Sequence, residues 1–206
     1  MPTSTFYRLP EEKRDRLMKA VWKEFTRVPY TEASINRIIL GAKIPRGSFY
    51  QYFLDKNDLY FHLIDLIRDK FLVVFDEVMA RTNGDLFALP ERIFTELIGE
   101  DGKVEKRFAV GFKLLSLNVG LDVQRVFFDR ATGELAPRIM SGKADLSVLR
   151  STEPRFVECT FSLLVSALAE AIAQTLMRSS PRETELEKLR LRVEIIRSGS
   201  AKGEKE

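Results

Sequence analysis

The 206-residue chain contains one cysteine, Cys159, and one histidine, His62. A single cysteine cannot form an intramolecular disulfide, and these two residues alone cannot build a cysteine/histidine metal site. One histidine is also too few for the paired Glu-x-x-His motifs of a helical di-iron protein, and His62 lies in no recognisable hydrolase motif. These shortages argue against an enzyme and predict no metal and no cofactor. The low number of cysteines is typical of a protein in a reducing, cytoplasmic location.

The chain also lacks a long apolar run. Its longest apolar stretch, CTFSLLVSALA, has 11 residues between Glu158 and Glu170, whereas a membrane-spanning helix needs about 20. The first residues, MPTSTFYRLPEEKRDR, contain neither the basic segment nor the apolar segment of a signal peptide. We therefore expect a soluble protein without a membrane partner.

Alternation of polar and apolar residues, which marks a half-buried strand, is not sustained anywhere in the chain. Helical spacing is widespread instead, as in the stripe formed by Leu17, Val21, Phe25 and Val28. We expect helices opening at Pro10, Ser34 and Asp55. Further helices are expected at about 87–98, 103–119, 121–131, 153–179 and 181–197. The sequence predicts an all-α protein.

Positive charge is concentrated near the N-terminus. Residues 1–58 contain 11 Lys and Arg against 7 Asp and Glu, a balance of +4, and the other 148 residues contain 22 against 23, a balance of −1. A basic quarter on a nearly neutral body is typical of a segment that binds a polyanion. A difference of four charges also falls within ordinary variation, so charge alone leaves both interpretations open.

The stretch AKIPRGSFYQYF, residues 42–53, combines four aromatic rings with a proline and a glycine. At about 100° per residue on a helix, Phe49, Tyr52 and Phe53 share one arc and form an apolar anchor. The opposite arc carries Gly47, Ser48, Tyr50 and Gln51. A glycine inside a helix costs about 1 kcal/mol relative to alanine. Such a cost is expected where a partner must approach the backbone closely.

A short helix from Ser34, a turn and this second helix form the pattern of a helix-turn-helix, whose second helix enters the DNA major groove. Ser34 is a natural N-cap, and Pro45 suits a first helical position because no N–H donor is needed there. Arg46 lies in the first turn, where free backbone N–H groups also face an anion, and Lys56 at the start of the next helix would attract a phosphate. The combination, rather than any one residue, predicts DNA binding.

The segment SINRIILGAKIPRGSFYQYFLDKNDLY resembles the DNA-binding signature of TetR-type transcriptional regulators. The matching positions are Ser34, Ile38, Ala42, Ile44, Gly47, Ser48, Phe49, Tyr50, Tyr52, Phe53, Lys56 and Leu59. The match covers about residues 10–65, and the remainder agrees only in length and helical character. Lys43 stands where the family has a turn glycine, and Pro45 replaces a small polar cap. Lys43 must therefore either adopt a left-handed conformation or reshape the turn.

The resemblance implies a homodimer of all-α subunits, each with a helix-turn-helix domain over residues 1–55 and a helical effector-binding and dimerisation domain over 56–197. Residues 198–206 are expected to form a disordered tail. The implied function is a cytoplasmic repressor that binds a palindromic double-stranded DNA operator and is released by an unknown small-molecule effector. We expect base contacts from Arg46, Ser48 and Gln51, and phosphate contacts from Lys43, Tyr50, Tyr52 and Lys56. The predicted DNA-binding set is completed by Ser34, Asn36 and Gly47.

Candidate effector-binding residues are the aromatic side chains Phe71, Phe75, Phe108, Phe112 and Phe161, which would suit an apolar pocket. Core packing without a cavity explains each of these rings equally well. In the family the last two helices pair with their copies in a four-helix bundle. This implies a dimer interface at Leu168, Ile172, Leu176, Leu189, Val193 and Ile196, with burial inside one subunit as the alternative.

A helical protein-interaction module, whose tyrosine-rich face binds another protein, is the alternative to a DNA-binding regulator. Binding by such a module would be indifferent to DNA and to salt, whereas DNA binding weakens steeply as the salt concentration rises.

Overall fold

The computed structural model describes residues 1–118, 137, 139–177 and 180–202. In these residues the regular structure is helical apart from two isolated β-bridges, which confirms the all-α class. The α-helices are α1 (Ser4–Tyr7), α2 (Glu11–Phe25), α3 (Ile35–Ala42), α4 (Arg46–Tyr52), α5 (Lys56–Arg81), α6 (Leu89–Leu97), α7 (Ala109–Ser116), α8 (Pro154–Met177) and α9 (Arg182–Ser200). Short 3-10 turns occur at Tyr30–Glu32 and Leu146–Val148. The helix predicted at 121–131 lies outside the described residues.

Two compact units make up the chain. The N-terminal unit contains Met1–Asp69 and Ala109–Phe127, and the second unit contains Lys70–Phe108 and Phe128–Glu206. The first turns of α5 belong to the N-terminal unit, where Leu59 is fully buried. This division by packing assigns more of the chain to the N-terminal unit than the predicted boundary after residue 55.

The N-terminal unit is built on apolar stripes that its helices share. The fully buried residues of α2 recur every fourth position, as helical spacing requires: Leu17, Val21 and Phe25. α3 packs on α2 and buries Ile38 and Ile39. Arg16 on α2 donates from Nε to the Ala42 carbonyl at 2.8 Å. This bond satisfies one of the carbonyls left free at the C-terminal end of α3.

The segment before Pro10, for which no helix is predicted, contains α1. Phe6 is buried, and its ring centroid lies 5.0 Å from that of Phe53 and 5.5 Å from that of His62. The Thr3 N–H donates to the Tyr52 carbonyl at 2.9 Å. The segment therefore covers the C-terminal end of α4. Periodicity did not reveal it because α1 is only four residues long.

The second unit combines the later part of α5 with α6, α8 and α9. α8 and α9 pack along each other, and α6 packs on both. Their shared core includes Ile93, Phe94, Phe161, Leu164 and Leu189. Arg190 on α9 contacts Glu91 on α6 at 2.6 Å, and this hydrogen bond lowers the pKa of Glu91. The sequence-predicted helices at about 87–98 and 181–197 correspond to α6 and α9.

The helix predicted at 103–119 was wrong in its start, because α7 begins at Ala109. Residues 98–105 form a tight turn instead, closed by an isolated bridge between Ile98 and Val104. Gly102 adopts a φ of 73° in this turn, a conformation that glycine reaches without steric cost. The bridge also pairs Val104 with Ile98, so the helix cannot include residue 104 and starts after it.

The predicted disordered tail from residue 198 was also wrong in its start, because α9 continues to Ser200. Two hydrogen bonds of 2.9 Å hold the end of α9 to the segment after the Leu146–Val148 turn: Arg150 N–H to the Ser200 carbonyl and Lys202 N–H to the Val148 carbonyl. These contacts join segments that are far apart in the sequence, so the local composition of residues 198–206 does not predict them. Residues 203–206 lie outside the described residues.

Among the described helices, α8 is long and apolar enough to cross a membrane by length and composition, with a mean hydropathy of 1.7 in its most apolar window. The 11-residue apolar stretch between Glu158 and Glu170 is only part of α8, and the two acidic residues that bound it do not exclude a span. However, α8 packs against α6 and α9, and the core helices of soluble proteins can be equally long and apolar. The absence of a membrane partner stays a prediction.

Gly84→Ala should destabilise the fold for two reasons. Gly84 has a φ of 81°, which strains an alanine, and a Cβ there would lie 2.7 Å from the Asp145 nitrogen. That nitrogen donates its N–H to the Gly84 carbonyl at 2.9 Å, so the backbone contact would have to move. We expect the free energy of unfolding to fall by about 2–4 kcal/mol, measured by urea denaturation.

Gly142→Ala is the matched control for this prediction. Gly142 has a φ of 89°, but a Cβ there would meet no atom within 4 Å. Only the backbone strain of about 1–2 kcal/mol should remain. Equal losses in the two variants would show that the close contact at Gly84 contributes nothing.

Candidate DNA-binding surface

α3 and α4 are joined by the three-residue turn 43–45, as the sequence pattern predicts. Lys43 has a φ of 53° and a ψ of 48°, so the left-handed alternative is the one observed. The Ile44 N–H donates to the Ile39 carbonyl and the Lys43 N–H donates to the Leu40 carbonyl, both at 3.2 Å. These two bonds form a Schellman motif, in which glycine is the usual left-handed residue.

The exposed residues of α3, α4 and their turn are called the helix-turn-helix surface below. They include Asn36, Arg37, Leu40, Lys43, Arg46, Gly47, Tyr50 and Gln51. Arg37, Lys43 and Arg46 make this surface positive, and no Asp or Glu occurs anywhere between residues 33 and 54. Such a cationic strip is suited to phosphate groups.

The apolar arc of α4 lies on the opposite side and anchors the helix. Phe49 and Phe53 are fully buried, and Tyr52 is 9% exposed. The prediction that Tyr52 contacts phosphate is therefore not supported, because its ring belongs to the core. The wheel placed Tyr52 with Phe49 and Phe53, and that placement agrees with the burial.

Asn36 and Arg46 are linked across the two helices, since Arg46 Nη1 donates to Asn36 Oδ1 at 2.8 Å. Beside them, a Cβ added to Gly47 would meet no atom within 4 Å. The subunit's own packing therefore does not require glycine at position 47. Tyr50 is 49% exposed and Gln51 is exposed, whereas Ser48 is half-buried at the edge of this surface.

Lys56 is half-buried, and its ammonium group is bonded within the subunit, so its contact with a phosphate stays a prediction. Its Nζ donates to the carbonyls of Tyr30 at 2.9 Å, Ala33 at 3.3 Å and Thr31 at 3.4 Å. The same ammonium lies 4.5 Å from the centre of the Tyr30 ring, a cation–π contact. Lys56 thus holds the connection between α2 and α3, because that connection presents several carbonyls to one cation. The sequence gives no signal for these partners, which lie more than twenty positions away.

Ser34 occupies the N-cap position of α3, but its side chain makes no capping hydrogen bond. Its backbone N–H donates instead to Glu24 Oε1 at 3.0 Å. Glu24 is buried on α2 and pairs with Arg27 at 2.8 Å, and this side-chain hydrogen bond lowers the pKa of Glu24. Ser34 therefore fixes the start of α3 to α2, and its contact with DNA stays a prediction.

Sequence reasoning missed Arg37 and Leu40, which are both exposed on α3, Leu40 by 76%. A helical wheel of α3 contains the signal, because Ile38, Ile39 and Ala42 mark its buried side. Arg37 and Leu40 fall on the other side, beside Asn36.

A small apolar pocket lies in the second unit. It is lined by Phe71, Phe75, Leu89, Pro90, Ile93, Phe161, Leu164, Val165 and Leu168. The structure thus brings together Phe71, Phe75 and Phe161 of the predicted effector set, and the Phe75 and Phe161 rings meet edge to face at 6.1 Å. The cavity volume is about 10 Å³, no more than one water needs.

The other two predicted effector residues do not line this pocket. Phe108 is half-buried under the Arg107 guanidinium, whose carbon lies 4.6 Å from the ring centre. Phe112 is half-buried on α7, in the N-terminal unit. Among the described residues, no group of three His, Cys, Asp or Glu side chains could hold a metal ion.

The predicted dimer residues are mostly interior to the single chain. Leu168, Leu189 and Val193 are buried within the single chain, as in the alternative stated for them, and their contact with a second subunit stays a prediction. Ile172, Leu176 and Ile196 are half-buried. The exposed apolar side chains of α8 and α9 are different ones: Leu163, Met177, Leu191 and Ile195.

No model of a known protein family matches the chain. The chain is similar to the transcriptional regulator AcuR of Cereibacter sphaeroides, with 31% identity over 96 residues, which are 46% of this chain and 42% of that protein. It is also similar to the HTH-type transcriptional regulator HbdR of Aromatoleum sp. (strain CIB), with 34% identity over 64 residues, 31% of this chain and 28% of that protein. The chain thus spans less than half the length of these curated relatives.

A crystal structure of a TetR family transcriptional regulator from Chloroflexus aurantiacus J-10-FL aligns with 98% of this chain and 100% of its own, at 23% identity and a TM-score of 0.43. The class defined by the fold and the surface is an all-α helix-turn-helix protein. Both curated relatives are named as transcriptional regulators.

Lys43→Gly should stabilise the protein, because glycine removes the strain of the left-handed position. The relief of about 1–2 kcal/mol is partly offset by the greater entropy of glycine in the unfolded chain, so we expect a net gain of about 0.5–1 kcal/mol. Urea denaturation measures it. Lys43→Ala is the control, since alanine removes the charge and keeps the strain. An equal gain in both variants would assign the effect to the charge and not to the backbone.

Proposed function

We propose that the chain is a TetR-type transcriptional regulator whose helix-turn-helix surface binds duplex DNA. The observation that supports this most directly is the two-sided build of α4. Its aromatic arc is buried in the unit, while Arg46, Gly47, Tyr50 and Gln51 are exposed without acidic neighbours. A short helix that is anchored on one side and polar, cationic and flat on the other fits the width of the major groove.

Each exposed residue of this surface is suited to a stated contact. Arg46, with support from Ser48 and Gln51, would read base edges, because guanidinium and amide groups bond two base atoms at once. Lys43, Arg37 and Tyr50 would bind phosphates. Tyr52 would support this surface indirectly by anchoring α4 in the core, and Lys56 would do so by holding the connection between α2 and α3. Two subunits with two such cations each, Lys43 and Arg37, would give a log–log salt slope of about −4.

The proposed regulator acts as a homodimer on a palindromic operator. The exposed apolar residues of α8 and α9 support this, because Leu163 and Met177 lie on one stripe of α8, and Leu191 and Ile195 lie on one stripe of α9. Exposed apolar stripes on two neighbouring helices are what a four-helix dimer interface requires. The two helix-turn-helix surfaces would then read half-sites about one DNA turn apart, or somewhat further if the duplex is deformed.

A small apolar effector would release the proposed repressor from DNA. The aromatic lining of the pocket in the second unit suits such a molecule, but a cavity of about 10 Å³ must open to admit it. Opening separates packed rings, including Phe75 and Phe161, and therefore links ligand binding to movement of α5 and α8. A coupling of about 1–3 kcal/mol is enough to change operator affinity 5- to 150-fold.

A helical protein-interaction module is the second candidate, and one observation favours it. Leu40 is 76% exposed and Tyr50 is 49% exposed on the helix-turn-helix surface, and exposed apolar and aromatic side chains are common at protein interfaces. The salt dependence separates the candidates. Affinity for duplex DNA that falls steeply between 50 and about 200 mM salt supports the regulator, and indifference to DNA supports the module.

Gly47→Ala should raise the stability of the protein and lower its affinity for DNA. Because a Cβ at position 47 meets nothing within the subunit, the better helix propensity of alanine should add up to about 1 kcal/mol. The same methyl group should stand between the helix and the DNA and weaken binding about tenfold, which corresponds to about 1.4 kcal/mol. Urea denaturation and fluorescence anisotropy with a duplex selected from a random-sequence library measure the two effects.

Gly199→Ala is the matched control, because Gly199 is also a helical glycine whose added Cβ would meet no atom within 4 Å. It should change stability in the same direction and leave DNA affinity unchanged. If Gly47→Ala binds DNA as tightly as the unmodified protein, position 47 does not face the duplex.

Leu191→Glu should convert a dimer into monomers with unchanged helical content. Leu191 is 58% exposed on α9, so the charge is tolerated by the subunit but would be buried without a partner in the proposed interface. Light scattering and circular dichroism measure the two properties. Val110→Glu is the control, since Val110 is 50% exposed on α7, in the N-terminal unit. A monomeric unmodified protein would contradict the proposal.

A further inference from the structure

Asn118, just after α7, makes a hydrogen bond that sequence reasoning did not foresee. Its side chain is 2% exposed, and its Oδ1 accepts the backbone N–H of Tyr30 at 2.8 Å. Its Nδ2 donates to the Leu114 carbonyl on α7 at 2.7 Å. Tyr30 lies in the N-terminal unit together with Asn118, although 88 positions separate them.

These two bonds require an amide side chain in one orientation. The Tyr30 N–H can only donate and the Leu114 carbonyl can only accept, so a side chain between them must offer one acceptor and one donor. Asparagine does so at the observed reach. Leucine, which has a similar size, satisfies neither group, and aspartate satisfies the N–H but places a carboxylate against the carbonyl.

The Tyr30 peptide is held from two directions. Its N–H is bound by Asn118, and its carbonyl accepts from Lys56 Nζ at 2.9 Å. The 3-10 turn that begins at Tyr30 leads directly to Ser34, the N-cap of α3. A displacement of Tyr30 therefore changes the position at which α3 starts.

α7 is itself held closely against α5 within the same unit. A Cβ on Gly111 would lie 3.1 Å from Cγ1 and 3.3 Å from Cγ2 of Ile67, so glycine permits this approach. Asn118 thus extends from a helix whose distance from α5 is fixed by direct packing. A shift of α7 would therefore also move Tyr30, because the buried Asn118 side chain is hydrogen-bonded to both.

We propose that Asn118 is a positioning residue for the DNA-binding surface, holding Tyr30 so that α3 and α4 are presented in the binding arrangement. The inference rests on the proposed function and adds a positioning contact just after α7, which is distant in sequence from the helix-turn-helix. DNA binding and the Asn118–Tyr30 bond should stabilise each other, since coupling between two sites is reciprocal.

Amide hydrogen exchange at Tyr30 and DNA affinity test the proposal together, in the full chain. Asn118→Leu should accelerate exchange of the Tyr30 amide and weaken binding to the selected duplex about tenfold, as expected for the loss of one buried hydrogen bond. Asn118→Asp keeps the acceptor for Tyr30 and should recover part of both effects. In the unmodified protein, added duplex should slow exchange at Tyr30.

Thr175→Val controls for a general loss of stability. Thr175 is buried on α8, in the second unit, and its hydroxyl donates to the Ala171 carbonyl at 2.9 Å. This variant also loses one buried hydrogen bond, but it should leave Tyr30 exchange and DNA affinity unchanged. Equal weakening of DNA binding in Thr175→Val and Asn118→Leu would overturn the positioning role.

Two further outcomes separate this inference from the proposed function. If the unmodified protein selects a duplex and Asn118→Leu binds it with equal affinity, the inference fails and the proposed function stands. If the unmodified protein selects no duplex, the proposed function fails, and the role of Asn118 in presenting a DNA-binding surface fails with it.

Discussion

The ammonium group of Lys56 is the constraint on which the helix-turn-helix depends. It bonds three carbonyls of the connection between α2 and α3 and lies over the Tyr30 ring. The Tyr30 carbonyl also accepts the Ala33 N–H at 3.3 Å. Because each carbonyl has two lone pairs, one cation can satisfy the remaining acceptor capacity of several neighbouring carbonyls at once. Because Lys56 is the first residue of α5, this contact fixes the start of the long helix and the approach to α3 together.

A basic residue at a helix N-terminus is normally unfavourable, because it faces the positive end of the helix dipole. The structure offers a different reason for Lys56 from the bound phosphate that the sequence suggested. Its charge is directed away from the helix end to the carbonyls of residues 30, 31 and 33. The surface proposed to bind DNA is therefore supplied with charge by Arg37, Lys43 and Arg46, while Lys56 supports it from behind.

Much of this arrangement was predictable from local patterns. The spacing of Phe49 and Phe53 predicted the buried arc of α4, because patterns with period 3.6 report which side of a helix is buried. The replacement of the family's turn glycine by Lys43 left two alternatives, and the structure shows the left-handed one. Contacts between residues far apart in the sequence could not be predicted in this way. No local pattern links Asn118 to Tyr30, or Lys56 to the carbonyls that it bonds.

The predicted dimer residues show a related limit of periodicity. Leu168 and Leu189 follow the apolar periodicity of α8 and α9, but periodicity does not distinguish a helix face buried in its own subunit from one buried by a partner. Burial in the single chain shows which of these residues are already covered within the subunit, and it leaves Leu163, Met177, Leu191 and Ile195 as the exposed apolar residues of α8 and α9.

α8 carries both of the features that a ligand-controlled dimer would need. Phe161, Leu164 and Leu168 line the apolar pocket, and Leu163, one position from Leu164, belongs to the exposed stripe. Because the interior of a protein is close-packed, a ligand that enlarges a cavity of about 10 Å³ must displace the side chains or the backbone that line it. Displacement of α8 would shift its exposed stripe as well. Under the proposed function, effector binding and subunit pairing are therefore coupled through one helix and do not need separate devices.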